Sequence, residues 1–184
     1  VASGCLPGGG FRYIDIGNVR TRINTGGDMW WDFESAQYEI PKGSGKMSMF
    51  AASLWSGGID VNNQLKLAAL RYRQVGNDYW PGPLTIDGSA AIDAETCAQY
   101  DKHFPINRSQ VDEYLAWWDD PASYPDYTIP DVILNWPAHG DVIKGQSFYL
   151  APFYDRDGDG VYDPYSGDFP YYDLTGEMCQ TLTP

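Results

Sequence analysis

The stretch Asp155-Arg156-Asp157-Gly158-Asp159-Gly160-Val161-Tyr162-Asp163 places carboxylates at alternate positions, followed by a glycine and a further carboxylate. This pattern is typical of a loop whose oxygen atoms surround a hard divalent cation, and the cation that it predicts is Ca²⁺. Gly160 falls at the sixth position, where such a loop turns sharply and glycine is favoured. Counted from the first carboxylate, the predicted ligands at positions one, three, five, seven and nine are Asp155, Asp157, Asp159, the carbonyl group of Val161 and Asp163.

The rest of this loop departs from the helix–loop–helix pattern. Position twelve is Ser166, which has no carboxylate, so we expect Asp168, or alternatively Asp173, to supply the missing ligand. Pro164 prevents a helix from continuing out of the loop. The pattern therefore resembles thrombospondin-type and dockerin-like calcium loops, in which a structural ion would hold residues 155–168 in place. The alternative is an acidic turn without an ion, although aspartates so close together repel one another unless a cation neutralises them.

The charge composition limits the classes of partner. The 184 residues include 12 Lys and Arg against 25 Asp and Glu, which gives a formal net charge of −13. A surface this acidic repels phosphate backbones, so we expect no binding to nucleic acid. The sequence contains no apolar run of about 18 residues, so we expect no membrane span. A calcium loop that needs millimolar ion, on an acidic chain, favours an extracellular location.

The three cysteines, Cys5, Cys97 and Cys179, are too far apart for a metal-binding or redox pair. Their odd number leaves at least one thiol that is free or paired outside the chain. We expect one long-range disulfide, with Cys97–Cys179 slightly favoured over pairs that include Cys5, while three unpaired thiols are the alternative. Residues 2–5 also show a faint similarity to a lipoprotein attachment box.

The pattern of apolar residues and turns predicts a mostly β fold, of the β-sandwich or jelly-roll kind, with long loops and one or two α-helices inserted between residues 93 and 120. We expect residues 1–10 to be a flexible lead-in and residues 11–184 to form a single domain that carries the calcium loop. That domain is interpreted as the N-terminal part of a longer protein.

Several local elements follow from the same pattern. Residues 29–33 read as a strand, and residues 47–55 as a strand buried on both faces. Residues 66–75 are expected to pair with that buried strand, and Asn62-Asn63 to form the turn of a hairpin. A helix is expected to follow Ser109, with Ser109 as its cap and Asp112 completing the capping interaction, and a shorter helix is expected within residues 93–103.

Candidate catalytic groups are few. His103 and His139 are the only histidines, and Asp141 could orient His139 as a general base, although a loop histidine bound to the backbone is the stronger interpretation. Asp32 and Glu34 could form a pair of the kind used in glycoside hydrolysis, although a solvated strand face is more usual. We therefore expect no enzymatic activity.

Several aromatic side chains could instead stack on sugars, and the alternative is that they pack inside the protein. These side chains are Trp30, Trp31, Trp80, Trp117 and Trp118.

Several blocks together resemble the N-terminal region of large surface or secreted proteins of Bacteroidetes-type bacteria, which typically end in a sorting domain for the type IX secretion system. The blocks are residues 17–24 (GNVRTRIN), 27–32 (GDMWWD), 38–45 (YEIPKGSG), 50–58 (FAASLWSGG), 79–84 (YWPGPL), 136–141 (WPAHGD), 151–155 (APFYD) and 167–173 (GDFPYYD). The resemblance implies export across the outer membrane, and it carries over no catalytic residues.

These observations lead to one functional expectation and two alternatives. We expect a calcium-stabilised extracellular module of a bacterial cell-surface protein, with a structural or adhesive role and with other surface-protein domains or subunits as partners. The first alternative is a carbohydrate-binding module that uses exposed Trp and Tyr side chains on glycans. The second is a glycoside hydrolase that uses paired carboxylates.

Overall fold

The computed structural model describes residues 5–70, 78–83, 85–86 and 93–172. The chain divides into two compact units. The first, called unit 1, comprises Val1–Pro83 with Gly88–His103, and the second, called unit 2, comprises Leu84–Asp87 with Phe104–Pro184.

Short strands, three α-helices and two 3-10 helices, Pro121–Ser123 and Val142–Lys144, make up the regular structure of the described residues. The strands are β1 (Phe11–Ile16), β2 (Val19–Asn24), β3 (Asp28–Met29), β4 (Tyr38–Glu39), β5 (Met47–Met49), β6 (Ala52–Ser53), β7 (Trp55–Ile59), β8 (Leu65–Ala69), β9 (Phe153–Tyr154) and β10 (Phe169–Pro170). The helices are α1 (Ala94–Tyr100), α2 (Arg108–Asp119) and α3 (Asp131–Leu134).

Unit 1 is built on an antiparallel sheet in which the strand order is β5-β4-β2-β3-β6, with β1 also paired to β2. β1 and β2 form a hairpin whose turn contains Gly17 at a φ of 60°, a left-handed conformation that glycine adopts without strain. Two cation–π pairs join the strands on one face of this hairpin. The guanidinium group of Arg20 lies 3.6 Å from the centroid of the Tyr13 ring, and the guanidinium group of Arg22 lies 3.7 Å from the centroid of the Phe11 ring.

A buried polar network holds the turn that follows β3. The fully buried carboxylate of Asp28 accepts hydrogen bonds from the indole N–H of Trp31 (2.8 Å) and the side-chain amide of Asn24 (2.9 Å). Arg22 Nε in turn donates to Asn24 Oδ1 (2.8 Å). A carboxylate without solvent is tolerated only when its oxygens are hydrogen bonded, so this network fixes the side chains around it.

The prediction of a strand over residues 29–33 is wrong beyond Met29. Trp30 and Phe33 have φ angles of 72° and 77°, which turn the chain out of an extended conformation. The apolar and aromatic side chains of this segment pack at a turn. Composition alone does not distinguish such a turn from a strand.

The disulfide joins Cys5 to Cys97, with their Cα atoms 5.7 Å apart, so the preference for Cys97–Cys179 is wrong. Cys5 and Cys97 are both buried, and Trp80 packs against them. The backbone N–H groups of Gly9 and Gly10 donate to the Asp101 carboxylate at 2.8 and 3.0 Å. Residues 5–10, within the expected lead-in, are therefore tied to the segment around helix α1.

The prediction of a strand over residues 47–55 buried on both faces is also wrong. β5 pairs with β4 and β6 pairs with β3, so the two short strands lie at opposite edges of the sheet. Met47, Met49 and Phe50 are exposed. The apolar composition of the segment suggested burial that these edge positions do not provide.

β8 pairs with β7 and not with residues 47–53. The turn between them is held by the Asp60 carboxylate, which accepts N–H bonds from Asn62 and Gln64 at 2.9 Å each. Asn63 adopts a φ of 61° there, so the predicted turn at Asn62-Asn63 is confirmed. The predicted extension of this strand over residues 71–75 lies outside the described residues.

Unit 2 contains the larger apolar core. Its buried members are Tyr114, Ile129, Ile133 and Phe169. Both helices predicted within residues 93–120 are present. The N-cap of α2 is Asn107, whose backbone N–H donates to the side-chain oxygen of Gln110. The predicted Ser109 cap is therefore two residues too late.

The prediction of a mostly β fold is confirmed at the level of short antiparallel sheets with few helices. The finer prediction of a β-sandwich or jelly roll, and the division into a lead-in and one domain, stay predictions. None of the helices that the structure describes is long and apolar enough to cross a membrane.

The Cys5–Cys97 bond joins residues that are 92 positions apart in the sequence, so its loss should lower the stability of unit 1. We expect Cys97→Ser to lower the free energy of unfolding by about 2–4 kcal/mol, because the unfolded chain regains the entropy that the cross-link removes. The measurement is denaturant unfolding of the variant against the wild type.

The matched control for this prediction is Cys179→Ser, which should leave the midpoint of unfolding unchanged. Thiol titration of the denatured, unreduced protein should find one reactive thiol. Three reactive thiols, or an equal loss of stability in both variants, would contradict the assignment.

Candidate metal centre

The loop predicted from the sequence brings three carboxylates together. One carboxylate oxygen each from Asp155, Asp157 and Asp159 lies within 4.8 Å of the others. Asp157 and Asp159 are exposed and Asp155 is partly buried, so the cluster faces outward from unit 2. Three oxygens at this separation can bind one cation in common.

The backbone of the loop orients these side chains. Asp155 accepts N–H bonds from Gly158 (2.7 Å) and Gly160 (2.9 Å), and these two glycines have φ angles of 77° and 79°. The left-handed backbone at Gly160 favours glycine, and a Cβ atom there would lie 2.8 Å from the hydroxyl oxygen of Tyr149, whose exposed side chain would have to move. The sixth position of the loop therefore turns as the sequence predicts.

The electrostatics of the cluster differ between its members. The N–H groups of Gly160 and Gly158 lower the pKa of the Asp155 carboxyl below its ordinary value. A hydrogen bond from the Asp159 N–H acts in the same direction on Asp157, but desolvation and the negative charges of Asp159, Asp168 and Asp155 outweigh it and raise the pKa of Asp157. A bound cation would remove the repulsion that this raised pKa reports.

Asp168 closes the loop from the inside. Its carboxylate is fully buried and accepts the backbone N–H of Arg156 (2.9 Å) on one oxygen and that of Asp163 (2.9 Å) on the other. The Asp163 carboxylate accepts the N–H of Tyr165 (2.8 Å) and the hydroxyl of Ser166 (3.1 Å). Neither Asp163 nor Asp168 belongs to the cluster of three, so their predicted role as ligands stays a prediction.

The far side of the loop is fixed to the core of unit 2. The buried Tyr114 hydroxyl donates to the Pro164 carbonyl (2.7 Å), and the Tyr162 hydroxyl donates to the Ile133 carbonyl (2.6 Å). Burial raises the pKa of both phenols, so they remain protonated donors at neutral pH. The loop is therefore anchored to helices α2 and α3 through two tyrosines.

His139 provides a third attachment. Its Nε2 accepts the backbone N–H of Tyr162 (2.8 Å), so Nδ1 carries the proton and donates to the Phe148 carbonyl (3.1 Å). Its ring also stacks on Phe148, with centroids 4.2 Å apart. Asp141 instead accepts the N–H groups of Ile143 and Lys144. The arrangement matches the interpretation of a backbone-bound histidine and does not form a His–Asp pair.

The Asp32 carboxylate likewise serves local structure. It accepts the N–H groups of Ser35 (2.7 Å) and Glu34 (3.1 Å), and the side-chain amide of Gln37 (2.6 Å). The Ser35 N–H is the largest of the causes that lower the pKa of Asp32 to about 2. A general acid needs a raised pKa, so this carboxyl does not have the property that glycoside hydrolysis requires of one member of its pair.

The tryptophans considered for sugar stacking make internal contacts. The Trp117 ring stacks on Tyr127 with centroids 5.4 Å apart, and Trp30 contacts Tyr38 edge to face at 5.2 Å. Trp80 packs on the disulfide, and Trp31 is buried beside Asp28. Of the seven tryptophans, all of which lie in the described residues, Trp55 is the exposed one.

Sequence reasoning did not find the residues that hold the loop in place. Tyr114 lies on the predicted apolar face of its helix, which gives no signal that its hydroxyl reaches Pro164. The sequence pattern marks Tyr162 only as a residue of the loop. The buried position of Asp168 also has no local signature, because its partners are backbone N–H groups, which every residue but proline carries.

Removal of the Tyr114 hydroxyl should weaken the attachment of the loop. We expect Tyr114→Phe to lower the free energy of unfolding by about 1–3 kcal/mol, because the Pro164 carbonyl loses its buried donor. Tyr165→Phe removes a hydroxyl from an exposed side chain of the same unit and should have almost no effect. Equal unfolding midpoints for the two variants in urea would refute this role for Tyr114.

No protein-family model, no curated protein and no solved structure matches this chain. The resemblance to exported surface proteins of Bacteroidetes-type bacteria therefore stays a prediction.

Proposed function

We propose that the chain is a calcium-stabilised extracellular module of a bacterial surface protein, with a structural or adhesive role. The observation that carries this proposal is the convergence of the Asp155, Asp157 and Asp159 carboxylates in a loop of unit 2. The loop is already attached to the hydrophobic core, so an ion bound there would stabilise the unit that carries it.

The donor set supports a hard cation. Carboxylate and carbonyl oxygens bind Ca²⁺ and Mg²⁺, whereas softer metals prefer nitrogen and sulfur. Ca²⁺ accepts six to eight oxygens in a flexible arrangement, which suits a loop of carboxylates, the Val161 carbonyl and water better than the strict octahedron of Mg²⁺. Asp163 and Asp168 are further proposed ligands, because a carboxylate oxygen that accepts one hydrogen bond keeps a second lone pair.

The extracellular location and the partners rest on separate arguments. A loop of exposed carboxylates binds weakly and needs the millimolar calcium found outside cells. The disulfide between Cys5 and Cys97 also favours an oxidising compartment. With −13 net charge, the proposed partners are other domains or subunits of the surface layer and not nucleic acid.

Calcium should raise the thermal stability of the protein. At calcium concentrations about 100-fold above Kd, we expect a gain of about 2.7 kcal/mol, which corresponds to roughly 5–10 °C in Tm for a chain of this size. The measurement is differential scanning calorimetry of the full chain in EDTA and in CaCl₂.

The controls separate this effect from a general action of salt. Asp157→Ala should abolish the calcium-dependent rise in Tm, whereas Asp126→Ala, which removes an exposed carboxylate of unit 2 outside the loop, should retain it. MgCl₂ at the same concentration should give a smaller rise. A Tm that does not respond to calcium in the wild type would refute the proposal.

As the pH is lowered, the calcium affinity should decrease at higher pH than it would for a loop of carboxylates with ordinary pKa values. The pKa of Asp157 is raised in the ion-free loop, so protons compete with Ca²⁺ for this carboxylate at higher pH than they would for an ordinary aspartate. We expect Kd to increase as the pH is lowered from 7 towards 5, measured by competition with a chelating dye. Asp157→Asn should bind more weakly at pH 7 and show a flatter pH dependence, and a wild-type Kd independent of pH over this range would contradict the argument.

A further inference from the structure

One face of the β7–β8 hairpin carries only uncharged side chains. Side chains alternate between the two faces of a strand, so the antiparallel register places one set together. This set, called the hairpin face, consists of Trp55, Gly57 and Ile59 from β7 and Leu65, Leu67 and Ala69 from β8. Its four large side chains are 65–75% exposed, which is high for residues of this size.

The Tyr79 hydroxyl and the Asp78 carboxylate hold β8 through the Ala68 carbonyl (3.0 Å) and the Ala69 N–H (2.9 Å), while the large side chains of the hairpin face stay exposed. β7 and β8 form a two-stranded sheet, and no third strand among the described residues pairs with either. A hairpin with one pair of strands is marginally stable in water, and stability requires more strands or a layer that covers its apolar face. Contiguous apolar patches of several hundred Å² are uncommon on monomers and mark interaction sites.

The charge distribution indicates what kind of partner fits. Lys66 lies on the opposite face of the hairpin, where its ammonium group is 3.4 Å from the Asp60 carboxylate. The hairpin face therefore offers no charge by which a basic or acidic partner could be recognised. Shape and apolar contact alone must select the partner, and a surface on one antiparallel hairpin can match its own copy around a two-fold axis.

The exposed apolar area of the hairpin face is close to the area that a specific dimer interface buries. Taking about 200 Å² for a fully exposed aromatic or large aliphatic side chain, the four large side chains present roughly 550 Å² of apolar surface. With Gly57 and Ala69 added, each copy would bury close to the roughly 600 Å² per partner at which specific interfaces begin.

We propose that the hairpin face binds the same face of a second copy of this chain, forming a two-fold symmetric dimer in which two hairpins pack as facing layers. This interface is independent of the proposed calcium site, because all of its residues belong to unit 1. The two chains of net charge −13 repel each other, so salt should strengthen the dimer by screening that repulsion.

The test is sedimentation velocity of the full chain over a range of protein concentrations, at 0.1 and 0.5 M NaCl in buffer with fixed calcium. We expect a reversible monomer–dimer equilibrium with a lower Kd at the higher salt concentration. Leu67→Lys should raise that Kd by roughly 30-fold or more, because it places a charge at the centre of the apolar contact. Tryptophan emission should shift to shorter wavelength as the wild type dimerises, since Trp55 loses its exposure.

The matched control is Val61→Lys, which makes the same chemical change at an exposed position in the turn of the same hairpin, outside the hairpin face. It should retain the wild-type Kd. Ile59→Lys is the second variant at the interface, and circular dichroism and thermal melts identify any variant that fails to fold. A chain that stays monomeric at all concentrations, a dimer that dissociates in 0.5 M NaCl, or folded Leu67→Lys and Ile59→Lys variants that dimerise like the wild type would each overturn the proposal.

Discussion

The buried carboxylate of Asp168 is the constraint on which the C-terminal part of the structure depends. It accepts backbone N–H groups from Arg156 and Asp163, which lie near the start and end of the acidic stretch. Removing a carboxylate from water is costly unless both oxygens are satisfied, so the chain must keep these two donors in place. The loop between them is therefore closed by an internal side chain, and its conformation does not have to be created by an ion.

This preformed loop would lower the entropic cost of binding the proposed cation. Asp155 and Asp159 each accept a backbone N–H group from within the loop, which directs their carboxylates to a common point. Tyr114, Tyr162 and His139 attach the other side of the loop to the core and its surroundings. Because little ordering remains to be done on binding, less of the interaction energy of the proposed ion is lost to entropy.

The sequence was informative where structure depends on local chemistry. The turn at Asn62-Asn63, the helices near residues 94 and 108 and the grouping of three aspartates follow from short-range patterns, and the structure contains them. The sequence was uninformative where partners far apart in the chain determine the structure. The segment 47–55 is apolar, yet its short strands lie at the two sheet edges, and Cys97 pairs with the distant Cys5. Neither outcome depends on neighbouring residues, so no local pattern could have shown it.

The position of the disulfide in the sequence has a consequence for biogenesis. Cys5 and Cys97 both precede nearly all of unit 2, whose main segment begins at Phe104. The cross-link can therefore form on a nascent chain as soon as residues 1–103 are accessible to an oxidant, before the acidic loop has been synthesised. Vectorial maturation of this kind would leave Cys179 to emerge after Cys5 and Cys97 have already reacted with each other, which favours the native pairing during the first oxidation.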